Sequence, residues 1–305
     1  MLIDSVVQFC DEMYSSFGDK CGCENGQCNH PSGECSGSCY NCLYHIHFPD
    51  RAPENAKKEY DCVKMLYHYV CQYSFLYTTE LLCAFDHEWD YIKDFPYYHI
   101  LSLGCGGCAD LMAFDYLRQS KKFPAPISYM GIDVNDLWAP IHQKIREYCR
   151  ITSIPFNMRY KDVFEYFQKY KLPNANIIVI SYLISYLYNT NQINAVDLLA
   201  DNLVKKVITH KKTGQPLLLV INDVNSNARG RDSFEHFIHS IRRNGLTIGK
   251  SEFKYFESGR LNSFQRIGSA YSIDKMPLSI PNKIREKYHA QTNIQSTIQL
   301  LVEVS

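Results

Sequence analysis

Between Tyr98 and Ile221 the chain alternates short apolar runs with amphipathic stretches, and this alternation limits the fold more than any other feature. The strand-length runs are Tyr98–Leu103, Ile127–Ile132, Phe156–Tyr160, Ile177–Tyr182 and Leu217–Ile221. Apolar residues at helical spacing fill the intervals over Asp110–Gln119, Leu137–Arg150, Val163–Tyr170 and Ile193–His210, and again over Asp232–Arg243. Near-continuous apolar strands interleaved with helices predict a parallel sheet with both faces covered. Thr247–Phe253 predicts a further strand and Ser296–Val304 a terminal one with no helix evident just before it. A polar insertion over about 257–295 separates the two.

Upstream the pattern is different. Val6, Phe9, Cys10, Met13 and Phe17 recur at helical spacing until Gly18 ends the run. Residues 19–56 are rich in Gly, Ser, Asn, Pro and Cys, too polar to bury a core without a staple. From Asp61 to about Glu88, Leu66, Tyr69, Val70, Tyr73, Tyr77, Leu81 and Ala84 form one stripe, which reads as a core-facing helix. The expected organisation is an N-terminal helix (1–18), a Cys-rich segment (19–56), a helical lead-in (57–97) and an α/β domain (98–305). Lys plus Arg and Asp plus Glu are both 32, so net charge favours neither nucleic acid nor membrane. There is no 18-residue apolar run, and Asp4, Asp11 and Glu12 stand where a signal peptide would carry bases, so a cytoplasmic protein without membrane attachment is expected.

Six of the 13 cysteines fall between Cys21 and Cys42, spaced Cys21-x-Cys23-x4-Cys28-x6-Cys35-x3-Cys39-x2-Cys42, with His30, His45 and His47 close by. Thiols this dense on a segment unable to form a core point to a metal whose ligation supplies folding free energy. Structural zinc is the reading, with an iron–sulfur cluster as the alternative, because Cys35-x3-Cys39-x2-Cys42 also has the spacing of a radical-enzyme cluster site. Cys10, Cys62, Cys71, Cys83 and Cys149 read as small buried apolar residues.

The stretch "HILSLGCGGCADLMAF" breaks from strand into glycines and then into helix. Such a break offers backbone N–H groups and a positive helix terminus to a ligand. Gly104, Gly106 and Ala109 satisfy the dinucleotide pattern G-x-G-x-x-A, which on its own permits a nicotinamide-dependent oxidoreductase.

The same letters, "LSLGCGGCADL", resemble the first motif of class I S-adenosylmethionine-dependent methyltransferases, and four further stations follow in order. "YMGIDVN" ends the second strand in Asp133, "RYKDVFEY" the third in Asp162, and "IIVISYLISYLY" is the fourth strand with its loop. The terminal strand would be that fold's antiparallel member. The resemblance implies a Rossmann-like, mostly parallel seven-stranded sheet with an antiparallel terminal strand, joined to a small Cys-rich metal module. It implies S-adenosylmethionine as cofactor, with Gly104, Cys105, Gly106 and Asp110 in the first motif, Asp133 and Val134 at the ribose, Asp162 and Val163 at the adenine, and Ser181 after the fourth strand. One departure is Cys108 at the third glycine of the motif.

The acceptor is less legible. The fourth-strand loop lacks the N/D-P-P-Y stretch of amino-methylating enzymes and lacks a cysteine. Tyr182 and, after the fifth strand, Asp223 are the catalytic candidates, Asp223 as general base. The layout also resembles, more distantly, ribosomal small-subunit methyltransferase-like proteins. Together these readings imply methyl transfer to a macromolecule, RNA or protein, with the Cys-rich module helping to grip it. A catalytically silent S-adenosylmethionine-binding scaffold is the alternative, and an NAD(P)-dependent oxidoreductase a further one.

Overall fold

The computed structural model describes residues 1–18, 38–52, 59–170, 174–211, 214–226, 230–257, 261–271, 278–291 and 297–305. Eight strands form one sheet: β1 (Tyr98–Leu103), β2 (Ile127–Asp133), β3 (Phe156–Tyr160), β4 (Ile177–Ser181), β5 (Leu217–Val224), β6 (Ile248–Phe256), β7 (Ser269–Tyr271) and β8 (Thr297–Val304). Their order is β3-β2-β1-β4-β5-β8-β6-β7. β1 to β5 pair in parallel, and β8 runs antiparallel between β5 and β6. The strand order reverses between β1 and β4, the place where ligands bind in open α/β sheets.

The central strands β1, β4, β5 and β8 are buried on both faces, as uninterrupted apolar runs predict. Side chains alternate: Ile177, Val179, Leu218 and Val220 enter one core, while Ile178, Ile180, Leu219 and Ile221 enter the other. Helices α1 (Leu2–Ser16), α3 (Val63–His87), α5 (Ala109–Lys121) and α6 (Ala139–Ile151) cover the first face. On the second lie α7 (Val163–Lys169), α8 (Leu183–Asn189), α9 (Ala195–Lys206) and α10 (Glu235–Arg243). Because α1 and α3 share their core with the sheet, the first 97 residues are not all a separate appendage. α2 (Cys39–His47) and the four-residue α4 (Trp89–Ile92) complete the N-terminal helices. Among the described residues no helix is long and apolar enough to cross a membrane.

Three expectations are corrected. The sheet has eight strands, not seven, because the three-residue β7 is too short to show alternation within the polar insertion. That insertion also holds α11 (Asn282–Tyr288), clamped to α1 by Asp11, which accepts from Lys283 Nζ (2.7 Å), Lys287 Nζ (2.6 Å) and Tyr288 Oη (2.8 Å). Tyr182 does not continue β4. It adopts a left-handed conformation (φ 56°) and starts α8.

Candidate active site

The glycine break after β1 is a tight turn tied to its neighbours. Gly104 (φ +65°) and Gly106 (φ +45°) take left-handed conformations that suit residues without a Cβ. Gly106 N–H donates to Asp133 Oδ2 (2.8 Å) at the end of β2, and Asn135 N–H donates to the other oxygen (2.9 Å). His142 Nε2–H donates to Gly106 O (2.7 Å), which leaves its Nδ1 to Tyr160 Oη (2.9 Å) on β3. Burial pushes the Asp133 carboxyl up, and the N–H groups of Asn135 and Gly106 offset only part of the rise. A carboxylate has about four acceptor positions, so two remain on this half-buried group for an incoming diol.

Cys108 shows what its departure from the motif costs. It caps α5 in a left-handed conformation, φ 59° and ψ 44°, normally left to glycine. Asp110 is turned inward. Only 3% exposed, it accepts from Tyr129 Oη (3.0 Å), and burial pushes its carboxyl up to about 7. Asp162 is exposed at the end of β3 and caps α7 through Oδ1, accepting from Phe164 N–H (2.9 Å) and Glu165 N–H (3.0 Å). Val134 is 62% exposed beside Asp133, and Val163 is buried.

Facing the glycine turn is a row of tyrosines. From Lys64 to Leu82, every residue of α3 is buried except Tyr69, Tyr73 and Tyr77, which stand four apart and reach solvent. The stripe expected to face the core divides: Leu66, Val70 and Leu81 are buried in it, Tyr69 packs against its edge, and all three tyrosines stay partly exposed. Tyr73 and Tyr77 stack with centroids 5.5 Å apart, Tyr77 meets Tyr182 at 4.5 Å, and Tyr69 meets Trp138 at 5.6 Å. Trp138 in turn lies 3.6 Å from where a Cβ on Gly106 would stand, which joins the row to the turn. His47 of α2 closes one end, 2.9 Å from Tyr60 Oη and 4.9 Å between ring centroids from Tyr73. Burial holds the His47 imidazole down at about 4 and pushes the Tyr60, Tyr69, Tyr73 and Tyr77 phenols up, so the lining is uncharged near neutral pH.

At the other end of the row sits Glu80, which sequence reasoning missed. It is fully buried, and among the described residues no cation pairs with it. Its oxygens accept from Tyr182 Oη (3.1 and 2.9 Å), Thr297 Oγ1 (2.7 Å) and Asn222 Nδ2 (3.0 Å). Burial raises its carboxyl to about 7, and the hydrogen bonds from Asn222, Thr297 and Tyr182 keep it from going higher. Its signal in the sequence was an acid one turn beyond Tyr77, on the same face of an apolar helix. Ser181 joins the network through Asn222 Nδ2 (3.2 Å).

Asp223 belongs elsewhere. Its Oδ2 accepts from Ile184 N–H (3.0 Å) and Ser185 N–H (3.1 Å), its Oδ1 from Val224 N–H (2.7 Å), and it is fully buried. Three backbone N–H groups thus occupy the expected general base, two of them the otherwise unpaired donors at the start of α8.

Cys21, Cys23, Cys28 and Cys35 lie outside the described residues. Cys39 and Cys42 stand on the first turn of α2, packed with Cys62 at the start of α3. All nine described cysteines are thiols. Among the described residues two groups have metal-binding geometry, Cys105–Cys108–His142 and His87–Glu88–Glu252. In the first, hydrogen bonds engage both nitrogens of His142. In the second, Lys250 Nζ supplies the cation, 3.1 Å from Glu88 and 3.0 Å from Glu252.

No protein-family model matches the chain, and no curated protein matches it in sequence. Solved structures are similar in outline. One is the plantazolicin methyltransferase BpumL in complex with SAH, at 12% identity and TM-score 0.40 over 86% of this chain and 94% of that one. A Listeria monocytogenes protein assigned to the class I S-adenosylmethionine-dependent methyltransferases aligns at 10% identity and TM-score 0.48 over 99% and 87%. Coclaurine N-methyltransferase bound to N-methylheliamine and SAH aligns at 9% identity and TM-score 0.38 over 74% and 70%. The fold itself rests on the strand order and the reversed β8.

Proposed function

We propose that the chain transfers a methyl group from S-adenosylmethionine to an uncharged acceptor group presented by a macromolecule, RNA or protein. The observation that carries this reading is the pairing of the left-handed glycine turn with Asp133, whose carboxyl is near enough to Tyr60 and Tyr69 to raise their phenols. On this reading Asp133 takes the ribose hydroxyls, Gly104 to Gly106 let the donor approach the main chain, and Asp162 and Val163 flank the adenine. A row of phenol faces suits a sulfonium, since a cation is attracted to aromatic quadrupoles. It does not attract the neutral thioether of the demethylated product in the same way, which favours turnover.

Tyr182 is the residue we assign to the acceptor. As an acceptor proton passes to its oxygen, its own proton passes to Glu80, poised near neutrality. Such a relay serves nitrogen or oxygen acceptors, and the enzyme otherwise acts by alignment. The Cys-rich segment would hold zinc through Cys21, Cys23, Cys28, Cys35, Cys39 and Cys42. Through α2 it would bound one end of the tyrosine row, as the contact of His47 with Tyr73 supports.

Calorimetric titration with S-adenosylmethionine, S-adenosylhomocysteine and NADH tests the donor reading. Roughly micromolar binding of the first two without NADH is the expected result. Binding of NADH alone would overturn it in favour of an oxidoreductase. Donor binding with no labelled methyl transferred to RNA or protein pools would leave the scaffold, for which the strained Cys108 is the motive.

A further inference from the structure

We propose that Cys105 and Cys108 are a reversible dithiol–disulfide couple built into the glycine turn, oxidised by low-molecular-weight disulfides. Four features of this turn carry the inference. Cys108 N–H donates to Cys105 O (2.8 Å), which closes a turn. A turn of this kind keeps the Cα atoms of its first and fourth residues within about 7 Å, inside the span a disulfide can bridge. The two sulfurs lie within 4.8 Å of each other, so bond formation needs no movement of secondary structure. Gly106 and Gly107 form the link between them, and glycines accommodate the side-chain rotation a bridge requires.

The chemistry of the pair is asymmetric in a useful way. Cys108 is fully buried at the N-terminus of α5, with His142, Tyr129 and Cys105 around its sulfur. Burial opposes ionisation there, but the Cys105 thiol and the His142 imidazole outweigh it and bring the Cys108 thiol below its ordinary value. Burial and the neighbouring Cys108 push the Cys105 thiol up. Of the two, only Cys105 reaches solvent, with 9% of its surface exposed. Entry is therefore at Cys105 and resolution at Cys108.

The exchange balances as follows. The Cys105 sulfur attacks an external disulfide RSSR, its proton passes to the Cys108 thiolate, and RS⁻ leaves. Cys108 gives that proton to the departing RS⁻ and attacks Cys105 Sγ, displacing the second RS⁻, which takes up from water the proton Cys108 released on ionising. Overall, two protein thiols and one RSSR give one protein disulfide and two RSH. The protein pair is oxidised by two electrons and the external disulfide is reduced. Metal capture at the same three residues would compete, but it would break the His142 hydrogen bond to Gly106 O.

The consequence lies in the turn itself. Gly106 sits between the two sulfurs and also donates to Asp133, so the bridge and the donor share one segment of backbone. This coupling rests on the methyl-donor reading; the disulfide does not.

The test uses the full chain equilibrated in mixtures of reduced and oxidised glutathione, acid-quenched and alkylated. Cleavage after Lys93 and Arg118 frees a peptide with Cys105 and Cys108 as its only cysteines, so the remaining thiols do not confuse the result. The expected product is that peptide lighter by two hydrogens, restored by dithiothreitol, and formed in most molecules before the fully buried Cys10 or Cys149 reacts. In Cys108→Ala, glutathione should instead persist on Cys105, unresolved. Both thiols of the peptide fully alkylated at the most oxidising ratio would overturn the proposal, whether the donor binds or not. Either cysteine bridged to another part of the chain, or both protected by stoichiometric zinc, would also overturn it.

Discussion

Tyr182 Oη lies 3.1 and 2.9 Å from the two oxygens of Glu80, although 102 positions of sequence separate the residues. The contact joins the loop after β4 to the middle of α3 at the carboxyl edge of the sheet. Tyr182→Phe keeps the ring against Tyr77 and removes the hydroxyl. We expect kcat for methyl transfer to fall roughly a hundredfold while donor affinity changes little, as for loss of a general acid–base group. Equal losses in donor binding and turnover would make Tyr182 a packing residue instead.

Glu80 gives stability a pH dependence of determined sign. Its folded carboxyl sits near 7 against an ordinary 4.5. The folded state therefore holds a proton that the unfolded state has lost through that interval. Its contribution is fully present below about 4.5 and lost as pH rises through 7, with a ceiling of about 3 kcal/mol. Glu80→Gln should flatten the fall in Tm between pH 5 and 8 and match or exceed wild type at pH 8. A Tm profile unchanged by the substitution would sink this assignment.

Asp133→Ala should weaken S-adenosylmethionine binding about tenfold or more, since a charged acceptor of two hydroxyls is lost. Asp133→Asn should fall between the two, since its carbonyl can still accept from Gly106. Unchanged affinity in a folded variant would remove Asp133 from the donor site.

Asp11 works in the opposite sense from Glu80. Burial pushes its carboxyl up, but the hydrogen bonds from Lys283, Lys287 and Tyr288 win and hold it near 2 against an ordinary 3.8. This contribution is present above about pH 4 and lost as pH falls toward 2. Asp11→Ala should cost about 1–2 kcal/mol in urea unfolding, chiefly from the Tyr288 hydroxyl left without its acceptor, because the lysines can turn to water. Hydrogen exchange should quicken first in α11.

The metal reading has its own check. Purified protein should carry zinc in whole-number stoichiometry, and Cys39→Ser with Cys42→Ser should lower it. Iron with visible absorbance would replace zinc by a cluster, and a metal-free folded protein would reject both.

The strands β1 to β5 were legible in the sequence because a buried parallel sheet writes itself as continuous apolar runs. β7 was not, since three residues cannot display a period, and α11 was hidden in a polar insertion whose docking depends on one distant aspartate. That Asp133 closes β2 and Asp223 lies at the carboxyl end of β5 could be read from the apolar runs before them; that backbone N–H groups of the glycine turn and of α8 reach their oxygens could not. The role of Glu80 depends on Asn222 and Thr297, brought to it by the sheet, and no local pattern announces such a meeting. Tyr69, Tyr73 and Tyr77 share helical spacing with true core residues. Only the packed structure separates a wall from an interior.

The reversed strand β8 has a consequence for how the chain is made. β5 and β6 are consecutive strands but never pair with each other; each waits for β8, which is synthesised after both. Until then the nascent sheet presents two open, apolar edges, the state most prone to wrong pairing. Assembly of the two halves is therefore a late event, and a chaperone that shields strand edges would act in that interval.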